Sequence, residues 1–199
     1  MVDGLVGPRY DGRTALLVVD VQNDFADPNG SLTVPGAGDV ITAVNSEVEA
    51  AADAGAAIVY TQDWHPPRTP HFVTDGGPWP VHCVRGTWGA DLHPALTVKG
   101  GFILKGIGGE DGYSGFTMRA HDGTESSTGL DELLRDNAIE KVVIVGLALD
   151  YCVKATALDA VERGYGCAVV REATAPVEVS PGDGAAAEAE LAAAGVGIT

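Results

Sequence analysis

The sequence predicts an α/β protein with a doubly wound, mostly parallel sheet and helices on both faces. Short apolar runs rich in β-branched residues, such as TALLVVD (14–20) and residues 142–145, are typical of strands buried on both faces of such a sheet. These runs alternate with segments of helical periodicity, which calls for right-handed crossovers between parallel strands. The length of 199 residues predicts a single domain, 1–199, in which residues 1–13 form a loose N-terminal arm.

The first third of the chain supplies two strands that each end in an acidic residue. Strand 14–20 ends in Asp20, and AAIVYTQD (56–63) ends in Asp63. Between these strands, apolar residues at helical spacing predict a helix over residues 36–54. Open α/β sheets form their sites at the carboxyl ends of the strands, so both carboxylates are expected at a functional edge.

Residues 64–94 have no regular periodicity and are unusually rich in proline. They also contain four of the five histidines and all three tryptophans. A long irregular segment is uncommon in a compact domain, and such segments are often functional. We therefore expect this loop to contribute to a site.

The rest of the chain again alternates between strands and helices. A strand over residues 101–106 carries Lys105 near its end, and the glycine-rich loop GGEDGYSGF follows. The pattern then predicts, in order, a short helix around Leu130–Leu134, the strand 142–145, a helix from Asp150 to Gly164, a strand over 166–173, an alanine-rich helix over 183–194 and a short strand over 196–198.

Cys152 lies in the first turn of the helix that follows strand 142–145. Unpaired backbone N–H groups and the positive end of the helix dipole favour a thiolate at this position and could bind an oxyanion. The alternative is a small core cysteine packed between helix and sheet, because free cysteine is frequently buried.

Asp20 and Lys105 are predicted at the same sheet edge as Cys152. Because no histidine lies near a strand end close to the cysteine, Asp20 is the available base, and Lys105 would keep Asp20 ionised. Taken singly, Asp20 could instead cap a loop, and Lys105 could be a solvated strand end.

Asp63, His65, His71 and His82 form a candidate metal cluster within the irregular segment. Asp63 and His65 are two residues apart, so in an extended chain both side chains point to one side. A carboxylate with imidazoles suits one divalent ion, Zn²⁺, Fe²⁺ or Mn²⁺. The alternative is a set of surface histidines in a polar loop.

The composition limits the class of partner and the compartment. A formal net charge of −16 repels phosphate backbones and anionic membranes, so the expected partner is a small molecule and neither nucleic acid nor a membrane. The three cysteines are widely spaced and form no CxxC pair, which predicts a reducing, cytoplasmic location. The sequence leaves open whether the chain forms a homo-oligomer.

Seven motifs, read together, resemble those of the nicotinamidases/pyrazinamidases, which belong to the isochorismatase-like cysteine hydrolases. They occur in order between Thr14 and about Ala175: DVQNDF (20–25), DWHP (63–66), WPVHCV (79–84), GTWGADLHPAL (86–96), ILKG (103–106), YSGF (113–116) and GLALDYCVKATALDA (146–160). The resemblance implies the isochorismatase-like hydrolase fold and metal-dependent hydrolysis of nicotinamide to nicotinate and ammonia. It also implies conversion of pyrazinamide to pyrazinoate, a cysteine thioester intermediate and a role in NAD salvage.

The resemblance also implies roles for individual residues. The implied catalytic triad falls on Asp20, Lys105 and Cys152, and the implied oxyanion hole is formed by the N–H groups of Ala148 and Cys152, with a cis peptide at Leu147–Ala148. The implied metal ligands are Asp63, His65 and His82, while His71 matches a fourth ligand found in only some members. The implied substrate-binding aromatics are Phe25, Trp79 and Tyr113, and Tyr151 occupies a variable position that could tune the pocket.

One departure from the family and two alternatives accompany this assignment. Leu149 stands where members usually have threonine, and its effect on the packing of the cysteine turn is open. One alternative is another amidase or an isochorismatase-type hydrolase of the same superfamily, which the metal cluster disfavours. The other is a catalytically silent binding member, which the intact triad disfavours. Cys83 is interpreted as a structural residue.

Overall fold

The computed structural model describes residues 9–199, and a parallel six-stranded sheet is at the centre of this part of the chain. The strands lie in the spatial order β3-β2-β1-β6-β7-β8, and β4 and β5 form a separate antiparallel hairpin. Their bounds are β1 (Thr14–Val19), β2 (Ala57–Asp63), β3 (Gly101–Lys105), β4 (Thr117–Arg119), β5 (Glu125–Ser127), β6 (Lys141–Leu147), β7 (Gly166–Ala175) and β8 (Gly197–Ile198). The predicted parallel α/β architecture is confirmed.

Helices cover both faces of the sheet. Their bounds are α1 (Asn23–Ala26), α2 (Ala37–Asp53), α3 (Leu130–Asp136), α4 (Lys154–Glu162) and α5 (Asp183–Ala193), and a π-helical turn (Leu149–Val153) precedes α4. Strand β1 alternates between two cores, because Leu16 and Val18 pack with α2 residues, whereas Leu17 and Val19 pack with α3, α4 and α5 residues. Burial on both faces explains why the strands read as continuous apolar runs.

The registers of the parallel strands bring their carboxyl ends to one edge. Asp63 at the end of β2 pairs directly with Lys105 at the end of β3, and Val19 of β1 pairs with Gly146 of β6. At Gly146 the backbone has a φ of 107°, and a Cβ atom there would lie 2.1 Å from the carbonyl oxygen of Val19. Only glycine permits this close approach of β6 to β1 just before the cysteine turn.

Several local features differ from the predictions. Helix α1 and the β4–β5 hairpin were not predicted, because segments of three or four residues are too short to show a period. Residues 64–94 contain more structure than predicted. Isolated β-bridges join His65 to Val84 and Phe72 to Trp79. These bridges fold the irregular segment back on itself, and at its start the Trp64 N–H donates to Lys105 O at 2.9 Å, at the end of β3.

The predicted loose arm over residues 1–13 needs a correction for the part that the structure describes. Residues 1–8 lie outside the described residues. Tyr10 is buried in the α2-side core, and its hydroxyl donates a hydrogen bond to the Glu47 carboxylate on α2. Because the Tyr10 ring packs in the core just before strand β1, residues 9–13 are not loose. Among residues 9–199, no helix has the length and apolar character needed to cross a membrane.

Candidate functional site

Asp20, Lys105 and Cys152 meet at the carboxyl edge of the sheet, as predicted. The Lys105 Nζ atom donates a hydrogen bond to Asp20 Oδ2 at 2.6 Å, and the Thr61 hydroxyl donates to Asp20 Oδ1 at 2.6 Å. A carboxylate oxygen of Asp20, one of Asp63 and the Cys152 Sγ all lie within 4.8 Å of one another. The structure thus places an acid, an ammonium and a thiol next to one another.

Burial shapes the charges of this group. Burial raises the pKa of Asp20 to about 6, an effect that Lys105 opposes and that the charge of Asp63 reinforces. Burial also acts against ionisation of Asp63, but the Lys105 ammonium and His65 outweigh it and lower the pKa of Asp63. For Lys105 the two carboxylates overcome burial and raise its pKa well above the ordinary value. Asp20 is therefore poised to take up and release a proton near neutral pH.

The Cys152 turn differs from the predicted first turn of an α-helix. Val153 N–H donates to Ala148 O at 3.1 Å, five residues back, which makes this a π-helical turn. Burial raises the pKa of the Cys152 thiol well above its ordinary value, although Lys105 lowers it in part. This effect of burial opposes the thiolate that the helix terminus was expected to favour, so the helix-stabilised thiolate stays a prediction. A protonated thiol needs a base, and Asp20 is adjacent.

The backbone before Cys152 has the geometry that the resemblance implied. The Leu147–Ala148 peptide bond is cis. The Ala148 N–H has no hydrogen-bond acceptor among residues 9–199 and lies beside the cavity that Cys152 lines. The Thr156 hydroxyl donates to Cys152 O at 2.6 Å and accepts from Gly115 N–H at 2.9 Å, which holds the turn in place. An unpaired N–H at this position can stabilise an oxyanion.

His65, His71 and His82 converge next to this group. One ring nitrogen from each lies within 4.8 Å of the others, and all three side chains are buried. Asp63 Oδ2 lies 3.6 Å from His65 Nε2 and 3.8 Å from His82 Nε2. Burial lowers the pKa of His82, and burial followed by the charges of His65 and His82 lowers the pKa of His71 to about 3. Neutral imidazoles of this kind are metal ligands.

The chemistry of these donors fits a divalent cation. Among the described residues, both ring nitrogens of His65 and the Oδ1 atom of Asp63 are buried without a hydrogen-bond partner. His82 Nδ1 lies 2.7 Å from Pro80 O, a contact that fixes the ring and directs Nε2 toward the cluster. A Cβ atom on Gly106 would lie 2.4 Å from the His65 ring, so glycine is required for the chain to pass behind it. Buried polar atoms left unpaired in this way call for a bound group.

The four predicted aromatic residues surround one cavity that both groups face. The lining of this cavity includes Cys152, Ala148, Asp63, His71, His82, Phe25, Trp79, Tyr113 and Tyr151. The Trp79 indole N–H donates to the Tyr113 hydroxyl at 2.8 Å. The rings of Trp79 and Tyr151 pack edge to face, with their centroids 4.8 Å apart. A cavity with aromatic walls suits a small planar ligand.

Three further residues hold the site together and were not predicted as site residues. The Gln22 side chain is fully buried, donates to Asp63 O at 2.8 Å and accepts from Asp63 N–H at 2.8 Å. Thr61 holds Asp20, and the Asp24 carboxylate accepts from Cys83 N–H at 2.7 Å, next to His82. The polar run after strand β1 was the available signal for Gln22 and Asp24, because a buried strand is followed there by several side chains that need partners.

Leu149 and the other two cysteines have no direct part in the cavity. Leu149 is buried in the core formed with α3, α4 and α5, where an apolar side chain packs without needing a hydrogen-bond partner. Cys83 is fully buried with a φ of 46°, and Cys167 is buried in the core beside α5. Burial raises the pKa of Cys167 to about 12. Both are therefore inert thiols at neutral pH.

Asp150 ties the cysteine turn to the wall of the cavity. Its two carboxylate oxygens accept hydrogen bonds from Val177 N–H at 2.9 Å and Glu178 N–H at 3.0 Å, and Val177 lines the cavity. The side chain is buried, with 6% of its surface exposed, so these bonds are shielded from water. Asp150 therefore sets the distance between the thiol and one wall.

Replacing Asp150 with asparagine is expected to weaken this connection. Asparagine offers one acceptor oxygen, so one backbone N–H loses its partner, at a cost of about 1–3 kcal/mol in the free energy of unfolding. Because the wall moves relative to the turn, KM should rise more than kcat falls. Denaturant unfolding and steady-state kinetics check this. Asp122→Asn, at an exposed turn where Asp122 accepts from Thr124 N–H, is the control. Unchanged stability and KM in Asp150→Asn would contradict the assigned role.

The chain is similar to known proteins over nearly its whole length. A model of the isochorismatase domain family matches residues 14–198. The nicotinamidase of Escherichia coli (strain K12) is 37% identical, over 91% of this chain and 92% of that protein. PnC1 from L. infantum in complex with nicotinate has a TM-score of 0.85 at 36% identity, over 96% of this chain and 94% of that one. The pyrazinamidase of Pyrococcus horikoshii in complex with zinc has a TM-score of 0.82 at 38% identity, over 94% and 98%.

Proposed function

This chain belongs to the isochorismatase domain family, and we propose that it hydrolyses nicotinamide to nicotinate and ammonia, a reaction of NAD salvage. One observation carries the proposal: the Cys152 thiol and the histidine cluster face the same aromatic cavity. A pyridine carboxamide has one group for each side of this cavity, an amide carbon for the thiol and a ring nitrogen for the cluster. The similarity to the nicotinamidase of Escherichia coli and to a structure with bound nicotinate supports the same substrate. Pyrazinamide carries the same two groups and is the second expected substrate.

In the first half of the reaction, Asp20 accepts the Cys152 proton and the thiolate attacks the carboxamide carbon. The N–H groups of Ala148 and Cys152 stabilise the resulting oxyanion, at about 3–4 kcal/mol per donor. Protonated Asp20 then donates its proton to the amide nitrogen as the C–N bond breaks. Ammonia leaves, and the acyl group remains on Cys152 as a thioester.

Water completes the reaction. Asp20 takes a proton from a water molecule, which attacks the thioester carbon, and the same N–H groups hold the second oxyanion. The C–S bond breaks, and the proton on Asp20 returns to the Cys152 sulfur. The product leaves as nicotinate after its new carboxyl group loses the second proton of the water to solvent. Lys105 stays bound to Asp20 throughout and offsets its negative charge, which its 2.6 Å hydrogen bond supports.

We propose that Asp63, His65, His71 and His82 hold a divalent metal ion in this protein. Nitrogen and carboxylate donors suit zinc, which the Pyrococcus horikoshii pyrazinamidase binds, and they also suit iron(II) and manganese(II). When bound, the ion supplies a Lewis-acid position for the ring nitrogen of the substrate. The aromatic side chains then hold the plane of the ring, which leaves the carboxamide next to Cys152.

A substrate without a ring nitrogen should be hydrolysed poorly. Benzamide has the shape and the amide of nicotinamide but cannot bind to the metal, so it loses the orientation that favours attack. We expect kcat/KM for benzamide to be lower by at least about 10²-fold, or about 2.7 kcal/mol. Pyrazinamide keeps a nitrogen at the matching position and should be a substrate, whereas picolinamide, with the nitrogen moved, should be poor. Ammonia release from all four amides tests this.

The amide series separates the two parts of the proposal. Benzamide hydrolysis as fast as that of nicotinamide would remove the ring-docking role of the metal but leave the cysteine chemistry intact. Absence of ammonia release from nicotinamide by the metal-loaded protein would overturn the proposed function and favour a silent binding member.

Removal of two candidate ligands should remove the metal without removing the thiol chemistry. In His65→Ala/His82→Ala, metal content should fall below about a tenth of wild type and KM should rise, because two of the donors are lost. Cys152 should still react with iodoacetamide. His71→Ala should have a smaller effect if His71 is an optional ligand. Elemental analysis of the purified proteins checks this, and full metal occupancy in the double variant would show that the cluster is misassigned.

A cytoplasmic location accompanies the proposal. The three cysteines are free and buried, a state that a reducing compartment maintains. Such a compartment also protects a catalytic thiol from inactivation by oxidation.

A further inference from the structure

The catalytic acids and the thiol form a second group of metal-donor atoms beside the histidine cluster. A carboxylate oxygen from Asp20, one from Asp63 and the Cys152 Sγ lie within 4.8 Å of one another, and the three side chains are buried. One thiolate with two carboxylates is a donor set that zinc and cadmium bind. Among residues 9–199, Asp63 Oδ1 has no hydrogen-bond donor. By donor chemistry alone, this acid–thiol group would hold a divalent ion.

The Lys105 ammonium lies between the two acids of this group. Its Nζ atom is 2.6 Å from Asp20 Oδ2 and 3.2 Å from Asp63 Oδ1, the second an ion contact without hydrogen-bond geometry. It also donates to Tyr113 O at 3.2 Å. None of its side chain is exposed. A compact positive charge on a covalent stem therefore lies where a free cation would have to bind.

Asp63 faces two cation positions at once. Its Oδ1 atom faces Lys105, and its Oδ2 atom faces His65 and His82 at 3.6 and 3.8 Å. With a divalent ion at both positions, Asp63 would bridge them as in two-metal sites. A thiolate coordinated to the second ion would no longer be free to attack a carboxamide. A protein that binds metal beside a catalytic thiol therefore needs a means of confining the metal to one side of Asp63.

We propose that Lys105 is a built-in monovalent cation that keeps a divalent ion out of the acid–thiol group. This role is additional to its place in the triad and concerns which cation is bound, not which amide is cleaved. In the native protein the histidine cluster binds metal and Cys152 stays free. Without the ammonium, Asp20, Asp63 and Cys152 become the ligands of a second ion, and the thiol proton is released to solvent as the ion binds.

Cadmium is the probe, because a cadmium–thiolate bond produces an ultraviolet charge-transfer absorption. The metal-free wild-type protein should bind about one equivalent of Cd²⁺ without this absorption, and Lys105→Ala should bind about two equivalents with it. Lys105→Ala/Cys152→Ala is the matched control, and it should lose the absorption. Circular dichroism establishes that each variant is folded, and Lys105→Gln replaces Lys105→Ala if the smaller side chain prevents folding.

Alkylation of Cys152 provides a second measurement, which compares the wild-type protein with Lys105→Ala. Iodoacetamide should alkylate Cys152 at a rate that excess Cd²⁺ changes by less than about twofold, whereas Cd²⁺ should slow alkylation of Lys105→Ala by at least about tenfold. A folded Lys105→Ala or Lys105→Gln protein with one equivalent and no charge-transfer absorption overturns the proposal. Protection of wild-type Cys152 by Cd²⁺ also overturns it. Neither result depends on the nicotinamide assay, so failure here is distinct from failure of the proposed function.

Discussion

Replacing Cys152 with alanine is expected to lower kcat for nicotinamide by at least about 10⁴-fold, because the thioester can no longer form. The thiol lines the aromatic cavity and lies next to Asp20, whereas the histidine cluster is built from other residues. Bound metal and the folded structure should therefore be retained. Ammonia release, elemental analysis and circular dichroism on the same sample check the three parts of this expectation.

Cys167 offers a matched control for this variant. Both thiols have 8% of their surface exposed and both pack in the core that contains α4 and α5, but Cys167 is not part of the cavity lining. Cys167→Ala removes the same atom from a similar environment and should retain most of the activity. Appreciable turnover by Cys152→Ala would show that the covalent mechanism is wrong.

Replacing Asp20 with asparagine is expected to lower kcat/KM by about 10³-fold, within the usual range for a lost general base. Asparagine keeps the size of the side chain and an acceptor for the Thr61 hydroxyl, but it cannot take the proton of a thiol whose pKa is raised by burial. Thr61→Val is the control, because it removes one hydrogen bond to Asp20 and leaves the carboxylate. An equal loss in both variants would assign Asp20 a structural role.

The pH dependence of the wild-type protein should report the same carboxylate. Because burial raises the pKa of Asp20 to about 6, the group is protonated below that pH and cannot act as a base. We expect kcat/KM to be level above this pKa and to fall about tenfold for each pH unit below it. Metal content must be measured at each pH, because protonation of histidine ligands also releases metal. A flat profile across this range with metal retained would contradict the assignment.

The features with a long sequence signal were predictable. Strand β1 is continuously apolar because both of its faces are buried, and the strand carries Asp20 to the sheet edge. Apolar strand patterns likewise predicted Asp63 and Lys105 at the sheet edge. The two residues are direct partners in the register of β2 and β3. The order of parallel strands converts positions far apart in the chain into neighbours, so a constellation can be predicted before any contact is known.

Features that depend on tertiary contacts were not predictable from local pattern. Burial by residues distant in sequence raises the pKa of Cys152, an effect that opposes the one expected of a helix terminus. The π-helical turn differs from an α-helix by one residue in its hydrogen bonding, which leaves no mark in the apolar spacing. The clamp of Gln22 on the Asp63 backbone requires the segment after β1 to meet the end of β2, so only the structure reveals it.

Lys105 belongs to the strand at the outer end of the sheet, where β3 has β2 as its neighbour. A slip of one residue in the pairing of β3 with β2 would move Lys105 by about 3.3 Å and turn its side chain to the opposite face of the sheet. The core could then be fully packed while Cys152 and Asp20 lacked the Lys105 ammonium. Amidase activity therefore reports the register of the edge strand β3. It distinguishes the native protein from a compact form in which β3 is paired one residue out of register.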